Sequence, residues 1–507
     1  MPSIVLATIN ARYYHASLGL RYLVANMGAL QSETQIMEFM LQHKPADIVE
    51  TLLATQPKII GLGVYIWNIE ESTKLVALLK RVAPDVIVVL GGPEVSYECG
   101  EQEIVQLADY VITGWGDISF PKLCRELLSK HPQAQKIITG EQPALSAIQL
   151  PYTLYSDEDI AHRLIYVEAS RGCPFKCEFC LSSLDKTAWA FDLDLFLAEM
   201  ARLYDRGARQ FKFVDRTFNL NIKASSRILE FFLDRLDEKL FVHFEVIPDH
   251  LPDALKTLIV RFPSGSLQFE VGIQTFNPEV QTLISRKQDT EKTATNLRWL
   301  RSESHAHVHA DLIIGLPGED MTSFARGFDH LVDIAPHEIQ VGILKRLRGT
   351  PIVRHTENFQ MRYNPHPPYN ILSTDRIDFP TMQRLSRFAR YWDLIANSGR
   401  FATTLPILLG QKPFERFLTL ADWLYAETHQ THQIALERLF DLLHLALQTR
   451  LNVSQAEATA CLTHDYALSG ARGAPKFLEV KSAEFPEAKP RKKTQSHATR
   501  QARHNMM

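Results

Sequence analysis

Residues 163–180 read RLIYVEASRGCPFKCEFC, a short strand pattern that runs directly into three cysteines. The apolar, β-branched and aromatic residues at its start predict a buried strand. Cys173, Cys177 and Cys180 follow with three and two residues between them. Thiolates at this spacing, in a loop after a strand, can converge on one metal centre. The stretch therefore predicts a strand that delivers a metal-binding loop.

Five further strand patterns follow this loop, with helical stretches such as LDLFLAEMARLYDRG between them. They read QFKFVDRT, FVHFEVIP, SLQFEVGIQ, VHADLIIGLP and EIQVGILK. Six strand–helix repeats predict a partial α/β barrel of the TIM-like kind over residues 164–366. Functional groups are expected at the C-terminal ends of its strands.

Upstream of the barrel, another series of strands alternates with helices. Its strands are SIVLATI, TQIMEFM, KIIGLGVYI, VIVVLGG and ADYVITG, each almost continuously apolar. Such strands separated by helices predict a parallel sheet of about five strands covered on both faces, a Rossmann-like domain over residues 1–135. Ser17 is the expected N-cap of its first helix. Weaker periodicity and scattered prolines predict a linker over residues 136–163.

Downstream of the barrel the pattern becomes helical, as in THQIALERLFDLLHLALQTRL, and predicts an all-α domain over residues 367–475. Residues 476–507 end in a basic stretch that is poor in large apolar groups, which predicts a disordered tail. Such a tail can touch RNA, although a solvated terminus is the simpler interpretation. The expected fold class is α/β, with an all-α C-terminal addition.

The composition is that of a globular protein, with 45% apolar and 22% charged residues and a formal net charge of −3. There is no apolar run long enough to cross a bilayer and no signal-peptide pattern, so we expect no membrane partner and a cytoplasmic location. Six cysteines in 507 residues do not make a disulfide framework. Cys99, Cys124 and Cys461 stand alone and are interpreted as ordinary small apolar residues.

Two metal centres are compatible with the cysteine triplet. Soft thiolates hold iron–sulfur clusters, and three protein ligands leave one iron of a four-iron cubane open to another ligand. A structural zinc site normally takes four protein ligands, and the sequence has no second C-x-x-C pair to complete one. The cluster is the favoured interpretation, and a non-catalytic zinc-binding scaffold is the alternative.

The C-x3-C-x2-C loop after the first barrel strand, with Phe179 before the last cysteine, resembles the signature of the radical S-adenosylmethionine (SAM) superfamily. The resemblance implies a [4Fe-4S] cluster on Cys173, Cys177 and Cys180, with SAM chelated at the open iron. It further implies reductive cleavage of SAM to methionine and a 5′-deoxyadenosyl radical. An electron donor such as flavodoxin or ferredoxin is implied as a partner.

The same resemblance suggests where SAM binds, namely at the ends of the barrel strands and at the aromatic residue of the cysteine loop. The SAM-binding candidates are Phe179, Asp215, Glu245, Glu270, Gln274, Arg286, Asp311 and Gly315. An open alternative is that Glu245 or Glu270 forms a salt bridge with Arg286 or Arg216 across the barrel.

A Rossmann-like domain before such a barrel resembles the cobalamin-binding domain of the cobalamin-dependent branch of the superfamily. The resemblance implies that cobalamin is lined by Ser17, Leu18, Tyr65, Trp67, Gly91, Gly92, Pro93, Glu94, Gly114 and Gly116. One departure is that no D-x-H-x-x-G motif supplies a histidine ligand for cobalt. Helical sequence after the barrel resembles an accessory domain of uncharacterised members.

The leading hypothesis is a cobalamin- and SAM-dependent radical enzyme that modifies an unknown substrate, and the resemblance implies that the modification is a methylation. One alternative is a radical SAM enzyme without functional cobalamin that acts on RNA or a small molecule. Another is the non-catalytic metal-binding scaffold. The sequence identifies neither the substrate nor a catalytic residue beyond these cofactor-binding candidates.

Overall fold

The structure, a computed structural model, describes residues 2–129, 133–471 and 473–479. Its chain divides into two compact units. The first comprises Met1–Phe244, Lys345–Val353 and Asn364–Asn370, and the second comprises Glu245–Leu344, Arg354–Tyr363 and Ile371–Met507. None of the helices within the described ranges combines the length and apolar character that a bilayer crossing requires.

The first unit begins with a parallel sheet of strands in the order β2-β1-β3-β4-β5-β6. The strands are β1 Ile4–Asn10, β2 Thr34–Met40, β3 Ile59–Gly63, β4 Ile87–Gly91, β5 Tyr110–Thr113 and β6 Ile137–Thr139. The helices around it are α1 Leu18–Ala25, α2 Pro45–Leu53, α3 Ile69–Val82, α4 Glu103–Leu107, α5 Ser119–Leu128 and α6 Asp157–His162. The predicted Rossmann-like parallel sheet is confirmed.

Alternate side chains along each strand supply the two cores of this sheet. Val5 and Leu62 pack with α2, α3 and α4 on one face. Ile4 and Val89 pack with α1 and α5 on the other. Both faces are therefore covered, which explains why the strands read as continuous apolar runs. Ser17 caps α1 as predicted, because its hydroxyl accepts a hydrogen bond from the Leu20 N–H.

One strand of the sheet escaped the sequence analysis. β6 lies in the segment predicted as linker and pairs in parallel with β5. It has only three residues, and its ends are exposed. So short an edge strand has too few residues to show a period of two. The helix α6 in the same segment has only six residues.

The first unit continues into the barrel region. Its strands are β7 Ile165–Val167, β8 Ser170–Arg171, β9 Trp189–Ala190, β10 Gln210–Phe213 and β11 Phe241–Val246, with helices α7 Leu193–Asp205 and α8 Ile222–Leu233 between them. β10 pairs in parallel with β7 and with β11. β8 and β9 form a small antiparallel ribbon.

The second unit contains the other strands of this region and the C-terminal helices. Its elements include β12 Leu267–Gln274, β13 His307–Ile314, β14 Glu338–Ile343, β15 Arg362–Tyr363 and β16 Ile371–Ser373. The helices are α9 Asp253–Ile259, α10 Pro278–Leu283, α11 Thr290–Glu303, α12 Met321–Ile334, α13 Phe379–Ile395, α14 Thr404–Leu409, α15 Pro413–Thr428, α16 Leu436–Thr449, α17 Gln455–Ser469 and α18 Lys476–Glu479. β13 pairs in parallel with β12 and β14. All six predicted strands of the barrel region are present, and the α/β class is confirmed.

Two details of the C-terminal region differ from the predictions. β16 lies beyond the point at which strands were expected to stop, and it is held there by pairing with the two-residue strand β15. Lys476–Glu479, assigned to the disordered tail, form the single turn α18. Its Phe477 ring stacks on His444 and its Leu478 is buried, so these apolar side chains give the turn a place to pack. The rest of the predicted tail, residues 480–507, lies outside the described residues.

Candidate functional site

The cysteine loop is closed at its base by the β8–β9 ribbon and shaped inside by hydrogen bonds. The Cys180 N–H donates to the carbonyl of Cys177 at 3.1 Å. The Ser183 hydroxyl lies 2.9 Å and 2.7 Å from the carbonyl oxygens of Cys177 and Cys180. These contacts fix the turn that carries the second and third cysteines.

The three thiols lie close enough to affect one another. Cys173 and Cys177 are buried, Cys180 is half-buried, and all three are free of disulfides. The pKa of the Cys173 thiol is raised to about 11, mainly by burial and to a lesser degree by the neighbouring thiols of Cys180 and Cys177, while a backbone hydrogen bond at Phe175 and the charge of Arg216 oppose the rise. Three thiolates in this loop therefore need a cation to stabilise them, and the irons of a cluster can provide it.

The donor set decides which metal group fits the loop. Across the described parts of the chain, no three His, Cys, Asp or Glu side chains are grouped around a single metal-ion position. The thiolates of a cubane bind different irons, so they need not point at one position. Three soft thiolates, supplied by one loop, are the ligands that a [4Fe-4S] cluster takes.

A cavity of about 360 Å³ opens beside this loop, at the carboxyl edge of the N-terminal sheet. Its apolar floor is formed by residues of three strands and of α1 and α5, namely Leu6, Leu20, Leu23, Val89, Ile112 and Phe120. Leu62 and Leu90 also border the cavity, but their side chains belong to the core on the other face of the sheet. Its rim is rich in glycine, with Gly19, Gly61, Gly63, Gly91, Gly92, Gly114 and Gly116. The remaining wall includes Ser170, Arg171, Gly172 and Ser182 of the cysteine loop and its ribbon. The cavity thus lies between the glycine-rich sheet edge and the cysteine loop.

Gly92 shows why the rim requires glycine. Its φ is +109°, in the region that side chains disfavour, and an added Cβ would collide with the backbone of Val64. The chain can therefore turn sharply after β4 only with glycine at this position. The turn leaves backbone, rather than side chains, facing the cavity at this edge.

Tyr65 is the aromatic wall of the cavity, and a buried asparagine fixes it. The Asn68 side chain accepts from the Tyr65 N–H at 2.8 Å and donates to the carbonyl oxygens of Ile9 and Gly63. The Tyr65 ring stacks on Trp67 with centroids 4.4 Å apart, and Trp67 is 47% exposed. Burial raises the pKa of Tyr65, so its hydroxyl stays protonated. A flat, rigid surface therefore borders the cavity.

Half of the predicted cobalamin-binding residues line the cavity: Tyr65, Gly91, Gly92, Gly114 and Gly116. The other five predicted residues are not among the residues that line the cavity. Ser17 and Leu18 start α1, and Pro93 opens a short 3₁₀ turn. Trp67 stands behind Tyr65, and Glu94 is buried in an ion pair.

The Glu94 contacts show what its carboxylate does in this structure. It accepts from Arg348 Nε at 2.9 Å and from the Tyr369 hydroxyl at 2.8 Å. Burial raises the pKa of Glu94, and these two donors oppose the rise. Neither donor could be assigned from sequence, because both lie some 250 residues or more along the chain. The observed role of Glu94 is to anchor the segment that carries Arg348.

Asp215, predicted to bind SAM, holds the strand that leads into the cysteine loop. It is 3% exposed and accepts from the Ala169 N–H at 3.0 Å and from the Ser170 hydroxyl at 2.6 Å. Burial raises its pKa to about 7 although both hydrogen bonds lower it. Phe179, the other candidate in the first unit, is half-buried within the cysteine loop.

The remaining SAM candidates lie in the second unit, on or after its strands. Glu245 is on β11, and Glu270, Gln274 and Asp311 are on β12 and β13. The Oε1 atom of Gln274 is buried next to a bulge in β12 and has no hydrogen-bond partner among the residues that the structure describes. Arg286 donates to the Gly272 carbonyl and to Gln288. Gly315 ends β13 with a φ of +87°.

The charged part of the cavity wall was missed by the sequence analysis. Asp117, Glu168 and Arg171 all line the cavity, and Arg171 pairs with both carboxylates. Arg171 stands two residues before Cys173 within the quoted motif, which is a signal that could have drawn attention to it. Its acidic partners carry no comparable sequence signal.

Comparisons with known proteins agree with this geometry. Residues 4–124 match the family model of the B12 binding domain, and residues 167–330 match that of the radical SAM superfamily. Residues 357–506 match a protein family of unknown function, DUF4080. These matches account for the cobalamin, [4Fe-4S] and SAM cofactors expected of the chain.

Two curated relatives are methyltransferases. One is the 2-(S-pantetheinyl)-carbapenam-3-carboxylate methyltransferase of Streptantibioticus cattleyicolor, 24% identical over 56% of this chain and 46% of the relative. The other is the cobalamin-dependent radical SAM methyltransferase TokK of Streptomyces tokunonensis, 24% identical over 57% of this chain and 47% of TokK. The chain therefore matches a little under half the length of both relatives.

A solved structure shares the fold. TsrM from Kitasatospora setae, a radical SAM methyltransferase with cobalamin and a [4Fe-4S] cluster bound, has a TM-score of 0.56 and 16% identity, over 73% of this chain and 82% of TsrM. The cavity is lined by residues of both matched regions. The sheet edge belongs to the region that matches the B12 binding domain, and the cysteine loop belongs to the region that matches the radical SAM superfamily. This chain therefore carries a B12-binding domain followed by a radical S-adenosylmethionine domain.

Proposed function

We propose that this protein is a cobalamin-dependent radical SAM methyltransferase acting on a substrate that is still to be identified. The observation that carries the proposal is the shared cavity, whose walls come from the glycine-rich sheet edge and from the cysteine loop. Two cofactors that act in one reaction must lie close together. The methyltransferase relatives support transfer of a methyl group.

The two cofactors would supply the chemistry: the cluster would cleave SAM reductively, and cobalamin would transfer the methyl group. The protein residues bind and orient these groups. Cys173, Cys177 and Cys180 would hold the cluster, and the hydrogen bonds of Ser183 keep their turn in shape. Burial of Cys173 and Cys177 limits the access of water to the thiolates.

The cavity would receive part of the cobalamin. Its apolar floor suits uncharged parts of the ligand, and its glycine rim lets the ligand approach the backbone. The protonated Tyr65 hydroxyl and the flat Tyr65–Trp67 stack would orient a planar group beside the rim. The five rim residues Tyr65, Gly91, Gly92, Gly114 and Gly116 are our first choice of contacts.

For SAM, we keep the eight predicted residues as candidates and rank Gln274 first among those on strands. Its buried Oε1 atom has no hydrogen-bond partner among the described residues, and a ligand donor could satisfy it. We also propose the domain limits 1–135, 164–366 and 367–475, and an external one-electron donor. The free cysteines fit a reducing compartment such as the cytoplasm.

The test compares the wild-type protein with a triple variant, Cys173→Ala, Cys177→Ala and Cys180→Ala. Both are purified without oxygen, reconstituted with iron and sulfide, and supplied with hydroxocobalamin, SAM and a reductant. We expect the wild type to bind about one cobalamin and one cluster per chain and to form 5′-deoxyadenosine or to consume SAM. The triple variant should bind cobalamin only.

Cys99→Ala is the matched control, because Cys99 is a half-buried thiol whose contact is the Val95 carbonyl. It should retain both cofactors. A wild-type protein that binds zinc in place of iron would refute the radical mechanism. A wild-type protein that binds the cluster but no cobalamin would refute its dependence on cobalamin.

A further inference from the structure

Arg171 joins two segments that both line the cavity. Its Nε atom lies 2.7 Å from Oε1 of Glu168, the residue directly after β7. Its Nη1 atom lies 3.0 Å from Asp117 in the loop after β5. Arg171 itself stands two residues before Cys173. One guanidinium therefore connects the glycine-rich loop of the sheet to the start of the cysteine loop.

The same guanidinium also makes cation–π contacts with three aromatic rings. It lies 4.3 Å from the Tyr22 ring centroid, 5.0 Å from that of Trp115 and 5.5 Å from that of Phe191. Arginine is effectively always protonated in proteins, and two carboxylates lie within ion-pair distance of this guanidinium. Arg171 therefore remains a cation. Its planar fork uses both edges for ion pairs and its faces for aromatic contacts.

The two loops serve different cofactors in the proposed function. Gly114, Trp115, Gly116 and Asp117 all line the cavity, so a ligand that fills it touches this loop directly. The cysteine loop begins directly after Arg171. A ligand that orders the first loop also orders Asp117, and Asp117 orders Arg171 through a buried ion pair. Order in either loop thus favours order in the other through the Asp117–Arg171 ion pair.

We propose that Arg171 is a positioning residue that couples cobalamin binding in the cavity to retention of the iron–sulfur cluster. The coupling rests on the proposed function and goes beyond it. Because binding coupling is reciprocal, cobalamin must strengthen cluster retention by the same factor by which the cluster strengthens cobalamin binding. Coupling between sites is typically about 5-fold to 150-fold in affinity, and we expect at least about 5-fold.

The experiment measures binding and not turnover. The affinity of the full chain for hydroxocobalamin is determined by anaerobic titration, once with the reconstituted cluster and once without it. The ratio of the two dissociation constants is the coupling factor. In parallel, the iron retained after timed exposure to a chelator is measured with and without cobalamin. The wild type should show tighter cobalamin binding with the cluster, and slower iron loss with cobalamin.

Two variants break the link at different points. Arg171→Gln removes the cation, and Asp117→Asn weakens only its contact with the cavity loop while leaving Glu168 paired with Arg171. Both should bring the coupling factor close to one. If Arg171→Gln fails to fold, Asp117→Asn still gives the answer, because it keeps the size of the side chain and the pair to Glu168.

Arg21→Gln is the matched control. Arg21 is also buried, pairs with Glu38 at 3.1 Å and Asp159 at 2.8 Å, and lies over the Tyr155 ring at 4.7 Å. It belongs to the same unit but does not touch the cysteine loop through these contacts. Its replacement should cost similar stability and leave the coupling factor at the wild-type value, which a merely structural role of Arg171 would not predict.

The outcomes separate this inference from the proposed function. Coupling in the wild type and in Arg21→Gln, but not in Arg171→Gln or Asp117→Asn, would support it. A wild type that binds both groups independently would overturn the coupling and leave the proposed function intact. Unchanged coupling in both loop variants would overturn the role of Arg171. A wild type that binds no cobalamin would overturn the proposed function and the coupling together.

Discussion

The Ser170 hydroxyl donates a 2.6 Å hydrogen bond to the buried carboxylate of Asp215. The second oxygen of Asp215 accepts from the Ala169 N–H, so one side chain holds two consecutive residues. Both stand just before the cysteine loop, and Asp215 follows β10. The contact therefore fixes the direction in which the chain enters the loop, three residues before Cys173. Binding of SAM by Asp215 stays a prediction.

The raised pKa of Asp215 predicts how stability depends on pH. Burial raises it to about 7, so between about pH 4 and pH 7 the folded chain holds a proton that the unfolded chain has lost. The free energy of unfolding should therefore fall as pH rises through this window, by up to about 4 kcal/mol from this group. Asp215→Asn removes the titrating carboxyl group, so its free energy of unfolding should lack this contribution to the pH dependence.

The measurement is the thermal unfolding midpoint of the wild type and of Asp215→Asn at pH 5 and pH 8, in the protein without cofactors. From pH 5 to pH 8, the unfolding midpoint of Asp215→Asn should rise relative to that of the wild type. Other titrating groups contribute equally to both proteins, so the difference isolates Asp215. A difference between the proteins that stays constant from pH 5 to pH 8 would contradict the assignment.

Gly91 gives a direct test of the cavity as the cobalamin site. It ends β4 on the cavity wall, and the nearest atom to an added Cβ would be the Ile112 carbonyl oxygen at 3.8 Å. Gly91→Val should therefore fit the fold, since valine suits a strand, and occupy space in the cavity. We expect the affinity for hydroxocobalamin to fall by about 10-fold or more, which is about 1.4 kcal/mol.

Gly100→Val is the control for this change, because Gly100 has no atom within 4 Å of an added Cβ and does not line the cavity. Its cobalamin affinity should equal that of the wild type. Circular dichroism and melting should show both variants folded. If a folded Gly91→Val protein bound hydroxocobalamin as tightly as the wild type, the cobalamin site would not include this wall of the cavity.

Local sequence pattern was enough for the strands and for the cysteine loop. β10 and β12, for example, place apolar residues at alternate positions, a pattern that depends on neighbouring residues alone. The spacing of the cysteines is likewise local, and so is the cap at Ser17. Features of this kind could be predicted because the information that specifies them lies within about ten residues.

The rest depends on partners that are distant in sequence. The family resemblance put Glu94 among the cobalamin-binding residues, yet its donors Arg348 and Tyr369 come from a segment after β14. The pairing of Arg171 with Asp117 spans 54 residues. β6 is stabilised by β5 and not by its own three residues. Long-range pairing of this kind leaves no periodic signal in one sequence.

The Glu94–Arg348 pair predicts a loss of stability rather than of cofactor binding. Glu94 is 4% exposed, so Arg348→Gln would leave a buried carboxylate without its cation. Losing one partner of such a pair costs about 3 kcal/mol or more. Chemical unfolding should show this loss, and Arg348→Gln combined with Glu94→Gln should recover part of it. Lys74→Gln, at the exposed Lys74–Glu71 pair, should change nothing measurable.

Cobalamin titration of the same proteins separates the two roles proposed for Glu94. If its function is the ion pair, the folded Glu94→Gln protein should bind hydroxocobalamin as the wild type does. A marked loss of affinity without a loss of stability would restore Glu94 to the cobalamin site predicted from the sequence.

Gly315 provides the corresponding test in the second unit. Its φ is +87°, and an added Cβ would lie 2.5 Å from Ile371 Cγ2 and 3.2 Å from Met382 Cε. Gly315→Ala should therefore strain the backbone and displace β16 from the end of β13, at a cost of more than about 1 kcal/mol. The unfolding midpoint should fall, whether or not SAM is present.

Gly342→Ala is the matched control, on the neighbouring strand β14 and without a positive φ. Its added Cβ would lie 3.4 Å from the Leu312 carbonyl, which is ordinary contact, so its midpoint should change little. The comparison also bears on SAM. If Gly315→Ala kept its stability but lost affinity for SAM, measured by equilibrium dialysis with the cluster in place, Gly315 would face the ligand and not β16. Loss of stability with SAM affinity unchanged in the folded fraction would assign the glycine to the packing of β16.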